Sequence, residues 1–357
     1  MARRRVALVA GSGAAAALAV GLAVALGGGA TSGAGAARGP VTADAATGAE
    51  SGKIAGDNDK IVACRFSPGQ DLAFDFELAA TIDIHADALG SGGDRVVARA
   101  GDAGDAGDAG VERVVSGATG VLAGRVLAVT SAGEAIVALR ARGWRDTPEA
   151  MAAAAAAWSA DLARPMLVRL DRRCRVLATA RHRDTALLAY DRMLRLVDGL
   201  GFALPADGVA RAGRSYDDEG RDTHGVYAVR SELAPADDAG GRGVVTRRRT
   251  GFVTVAAPTD GPKVAPRIVR SEGRVALGDG ARTPWFSRLD DDEVVRGETR
   301  GRVAFEATTR LTARARAADP AAFAGADLAL AHYLWGRPSE AELRAARDAI
   351  GPAEPAA

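Results

Sequence analysis

The chain has 357 residues, 48% of them hydrophobic and only 4% aromatic, with 46 basic against 45 acidic side chains. That length admits one large β domain or two average ones. The near-neutral balance excludes the strong positive excess that nucleic acid or an anionic membrane surface selects, so neither is expected as a partner.

The N-terminus carries an address. Arg3, Arg4 and Arg5 precede an uncharged apolar run over residues 6–26 and then a stretch of small residues, the pattern of a secretory signal, with Ala34-Gly35-Ala36 as the best cleavage site. The run is also just long enough to cross a bilayer. The alternative is therefore an uncleaved anchor through residues 6–26, the one route by which membrane association is expected. Loss of residues 1–37, which hold three arginines and no acid, leaves 43 basic against 45 acidic side chains. The expected destination is outside the cytoplasm: secreted, periplasmic or in the cell envelope. Cys64 and Cys174 are the only cysteines. In an exported chain an even count predicts a disulfide, with two free thiols as the alternative. Residues 38–60, rich in Gly, Ala, Thr, Ser and acids, read as a flexible linker.

A folded domain is expected over 61–317. Leu72, Phe74, Phe76, Leu78, Ala80, Ile82 and Ile84 are apolar at every second position, which predicts a long half-buried strand. Residues 90–110, with tandem Gly-Asp-Ala triplets, read as a disordered low-complexity loop, because the spacing is wrong for calcium repeats. Strands follow at 120–130 and 134–140 around a Ser131-Ala132-Gly133 turn. Pro148 opens an alanine-rich helix to about residue 162. A hairpin spans 165–170 and 174–180, and a helix with an apolar face spans 185–200, closed by Gly201 and capped by Asp184. Strands are expected at 226–233, 244–255 and 268–277, with a turn at 237–241. Val303, Phe305, Ala307, Thr309, Leu311 and Ala313 alternate as cleanly as the first strand. A tail over 318–357 is short, helical (321–334 and 339–350) and partly disordered. Such strands suit an antiparallel sheet, curled or barrel-like, with two central helices: a mainly β, α+β fold.

No motif for catalysis stands out. Gly-x-Ser-x-Gly is absent from the mature chain, as are a Walker loop, a Rossmann fingerprint and a His-Glu-x-x-His helix. The histidines, His85, His182, His224 and His332, stand apart, so a zinc site would have to assemble from distant segments. The acid run Asp290-Asp291-Asp292-Glu293 and the run Asp217-Asp218-Glu219-Gly220 read as solvated turns. Arg247-Arg248-Arg249 reads as charge protection on an edge strand. No enzyme activity, cofactor or metal is expected.

The order of the elements resembles the N-terminal β-barrel of the large lipid transfer proteins, the vitellogenin and microsomal triglyceride transfer group. The residues that carry the likeness are Phe66-Ser67-Pro68-Gly69-Gln70 before the first strand, the strand pair over 120–139, and the run from Leu162 to Val168. They continue with Asp191-Arg192-Met193-Leu194-Arg195 in the helix, Phe202-Ala203-Leu204-Pro205 after it, and Gly225-Val226-Tyr227. Ile268-Val269-Arg270-Ser271 and residues 302–311 match closing strands. The likeness covers residues 62 to about 316. It implies a module that binds a hydrophobic ligand of lipid type or docks a lipid-handling partner. Only about 40 residues follow the last strand, so the family's helical and lipid-cradling parts have no counterpart there. Interior-facing candidates for ligand contact are Phe74, Phe76, Ile82, Leu127, Leu139 and Phe305. The competing expectation is a structural or protein-interaction module of the envelope, with a protein partner and no small-molecule ligand.

Overall fold

The computed structural model describes residues 63–85, 111–147, 160–209, 213–221, 225–235, 242–255, 264–279, 283–299 and 301–350. The N-terminal segment, the linker, the Gly-Asp-Ala loop, most of the alanine-rich helix and the 237–241 turn lie outside them.

Twelve strands form one antiparallel sheet. In chain order they are β1 (Asp71–His85), β2 (Val111–Val129), β3 (Ala135–Thr147), β4 (Met166–Leu170), β5 (Val176–His182), β6 (Ser215–Arg221), β7 (Gly225–Ala234), β8 (Val244–Val255), β9 (Ala265–Leu277), β10 (Phe286–Thr299), β11 (Arg302–Ala315) and β12 (Tyr333–Trp335). Their spatial order is β12-β5-β4-β3-β2-β1-β11-β10-β9-β8-β7-β6. The first and last long strands are thus neighbours, with Phe74 opposite Ala315 and Ile84 opposite Phe305. The sheet is not closed into a barrel: β12 and β6 are its two edges.

Two helices lie wholly within the described residues, α1 (Leu187–Leu200) and α2 (Glu340–Ile350), and residues 160–162 end a further one. Ten residues of α1 are buried, spread around most of its circumference. A helix apolar on nearly every side belongs inside a domain, and α1 lies in one cluster with Phe74, Leu122, Leu139, Val168, Leu289 and Leu311 from the surrounding strands. Each leucine so enclosed contributes roughly 1.5–3 kcal/mol. Two acids on the helix are buried with it, and each has an arginine: Arg195 on Asp191 at 2.9 Å, and Arg337 on Asp198. Gly199 gives close approach, since a Cβ there would sit 2.5 Å from Leu311 Cδ2.

The opposite face of the sheet carries a smaller apolar cluster of Ala123, Ala138, Leu167 and Ala180. Residues 320–335 lie across it and contribute Ala322, Phe323 and Tyr333. Arg140 fixes this strap by donating to the Ala322 carbonyl at 2.8 Å. Cys64 and Cys174 are joined in a disulfide with Cα atoms 5.5 Å apart.

Several expectations are corrected. Asp290 to Glu293 is not a turn but the middle of β10, and Asp217 to Gly220 lies within β6. The three arginines are on β8, which lies between β7 and β9 rather than at an edge. Residues 321–334 do not form a helix, because Gly325 at φ +68° breaks the run. They form two 3-10 turns, Pro320–Phe323 and Leu330–His332, followed by β12. Asp184 does not cap α1, whose N-cap is Ala186 without a side-chain hydrogen bond.

Candidate functional site

The six apolar residues singled out for ligand contact separate into three groups. Phe74, Phe76 and Leu139 are in the central cluster. Phe74 stacks on Phe286 at 4.4 Å and meets Trp285 edge-on at 5.9 Å, while Phe76 packs on Trp144 at 5.2 Å. Ile82 and Phe305 belong to a second cluster with Ile84, Val264 and Val295, flanked by partly buried Phe252 and Ile268. Leu127 does not face the interior. It packs on the opposite face beneath the strap, where the β2–β3 register shifts between Val126 and Ala128. Inward positions on β2 are even-numbered, so an odd position points outward.

The second cluster lies at one end of the sheet. In an antiparallel sheet the C-terminal end of β1, the start of β2, the end of β8 and the start of β9 share that end. Val111, Val115, Val253, Val255 and Val269 are all there and all exposed. Here β8 and β9 also part: they pair only over residues 244–247 and 273–276.

Charged groups gather where the two strands diverge. Arg247 contacts Asp291 at 3.2 Å and donates to the Gly199 carbonyl at 2.7 Å, which ties α1 to the sheet. Arg249 donates to Glu293 at 2.9 Å and lies 4.2 Å over the Tyr227 ring. On the outer side a groove of about 650 Å³ is lined by Arg230, Glu232, Arg248, Glu272, Arg274 and Asp292 among others. Burial raises the Asp292 carboxyl, but hydrogen bonds and charge from Arg310 and Arg270 outweigh that and hold it below the usual carboxylate range. The two signs alternate across the groove, so it offers no uniform field to a charged ligand.

A third grouping lies at the β5–β12 edge. His182 ends β5 and pairs in register with Tyr333 of β12. Its Nε2 is 3.2 Å from Asp327 Oδ2, and the same oxygen meets His332 Nδ1. Asp327 Oδ1 accepts from the Ala329 N–H at 3.0 Å, and its main-chain carbonyl accepts from the Tyr333 hydroxyl at 2.7 Å. The His332 contact first, then the Ala329 amide and His182, lower the Asp327 carboxyl to about 2. His182 is buried, whereas Asp327 and His332 are part-exposed at 43% and 38%. The sequence separation of 145 residues between His182 and Asp327 hid this grouping from any motif search.

No protein-family model matches the chain, and no curated protein matches it. A solved structure does resemble it. It is lipovitellin, described for its lipid–protein interactions, with 8% identity and a TM-score of 0.44 over 71% of this chain and 26% of that one. The chain thus spans about a quarter of that structure.

Proposed function

We propose that this chain is an exported module that works by binding rather than by chemistry, and that its partner is an apolar, lipid-class ligand met at the valine-bearing end of the sheet. The observation that carries the reading is the set of exposed valines at one end of the sheet, Val111 and Val115 on β2, Val253 and Val255 on β8 and Val269 on β9, the same end that holds the cluster around Ile82 and Phe305. Exposed apolar side chains gathered toward one end of a sheet suit an apolar partner. The sequence resemblance to the lipid transfer proteins implies the same ligand class. Export is supported by the disulfide, which persists in oxidising compartments. Among the described residues no helix is long and apolar enough to cross a membrane.

A second reading, a protein-interaction module without a small-molecule ligand, is favoured by one observation: α1 and its contacts occupy the inner face of the sheet. Native mass spectrometry with lipid extraction on the exported chain separates the two. Lipid at near-stoichiometric amounts, lost in a Val253→Asp, Val255→Asp variant, is the expected result. A clean apo mass under gentle conditions sinks the lipid reading and leaves the protein-docking one.

A further inference from the structure

The geometry points to a divalent transition-metal site, of the zinc class, built by His182, Asp327 and His332. It is a separate site from the apolar end of the sheet and does not depend on that reading.

The donor set comes first. Imidazole nitrogen with carboxylate oxygen suits zinc and its transition-metal neighbours, whereas calcium and magnesium take oxygen-rich cages. Two histidines and one aspartate leave a fourth position for water, the arrangement of an open zinc centre.

Distance comes second. One ligand atom from each residue lies within 4.8 Å of the other two. Bonds of about 2.0–2.1 Å at tetrahedral angles set neighbouring donors roughly 3.3 Å apart. His182 Nε2 and Asp327 Oδ2 are already 3.2 Å apart. The three side chains thus face one another, and a metal would take the place of the hydrogen bond that now joins His332 to Asp327.

The third element is support behind the ligands. Asp327 is oriented by the Ala329 amide on its other oxygen. His182 Nδ1 accepts from the Asp184 N–H at 3.3 Å and lies 3.7 Å from Asp184 Oδ2. With a metal on Nε2 the proton resides on Nδ1, so the Asp184 N–H contact is given up and the Asp184 carboxylate, 3.7 Å away, would close in to accept it. Such a carboxylate–histidine–metal relay fixes the tautomer and the ring. The bound ion would fasten the strap over residues 320–335 to the end of β5.

Calorimetric titration of the metal-stripped full chain with zinc chloride and with magnesium chloride tests this, alongside cobalt(II) substitution read by visible absorption. One zinc per chain, no saturable magnesium and a cobalt band of tetrahedral intensity are expected. His332→Gln and Asp327→Asn should each weaken zinc by at least about tenfold, the lower bound for losing even an outer partner. His85→Gln should leave zinc binding unchanged. Zinc should also raise hydrogen-exchange protection over residues 326–336 in the unaltered chain only. Absence of zinc binding overturns the proposal, and so does a zinc affinity and cobalt spectrum unaltered in His332→Gln. That ring is part-exposed, so its replacement tests the site without opening the core.

Discussion

Arg247 and Arg249 have side chains only 6% and 9% exposed, and each faces an acid on β10. Charges taken out of water are tolerated only when paired. Asp291→Ala leaves Arg247 buried without its carboxylate and should cost about 3–5 kcal/mol in denaturant melts. The double change Arg247→Met, Asp291→Leu removes both charges and should cost markedly less. Equal losses would mean that the contact to the Gly199 carbonyl, not the ion pair, matters most. Gly297 makes a different point at the same scale. A Cβ there would sit 2.1 Å from Phe305 Cε1, so the ring lies directly on the backbone. Gly297→Ala should displace Phe305 and cost roughly 1–3 kcal/mol by overpacking, with the loss seen as a lowered thermal midpoint.

Among the elements, β1 was legible because every second position from Leu72 to Ile84 is apolar, and β11 because only Thr309 interrupts the same alternation from Val303 to Ala313. The β10 strand was not legible. Its inward positions Leu289, Asp291, Glu293 and Val295 place two acids where a core side chain belongs, and only the arginines of β8 make them acceptable. Neither charged run reads as a strand without the other. The same holds for the valine-bearing end of the sheet, where exposed side chains on β2, β8 and β9 share one end only through the pairing order. The edge histidines had even less signal, since nothing near His182 in the chain hints at Asp327. The disulfide was legible from the cysteine count and the predicted export. It links the segment before β1 to the β4–β5 turn, where the Cys64 N–H donates to the Arg172 carbonyl at 2.9 Å. With 110 residues between the cysteines, reduction should cost at most about 4–5 kcal/mol by chain entropy. A midpoint unmoved by reductant would show that the bridge adds nothing to the hydrogen bonds around it.

For the whole molecule, pH acts from both sides. The Arg113 hydrogen bond holds Asp83 below the usual carboxylate range, and Arg142 and the Ala321 amide do the same for Asp319. Asp292 is likewise low. Carboxyls lowered by folding contribute stability above their unfolded value of about 4, and that contribution is lost as pH falls through the folded one. Burial moves Tyr190 and Tyr216 the other way, so that each stays protonated when the unfolded chain ionises. Their contribution is present below about pH 10 and lost as pH climbs beyond it. Thermal midpoints should therefore form a plateau with an acid limb below about pH 4 and an alkaline limb above about pH 10. A flat alkaline limb would mean that the two phenols are not enclosed in solution.

The adjacency of β1 and β11 also sets a timetable. The strand at the middle of the sheet leaves the ribosome well before one of its two neighbours, since residues 86–301 lie between them. Until residues 302–315 emerge, β1 keeps a full row of amides and carbonyls open on one side. An exported chain would cross the membrane with that edge unguarded. Shielding of that edge until β11 arrives, rather than speed of collapse, is then what nascent copies need to avoid pairing with one another.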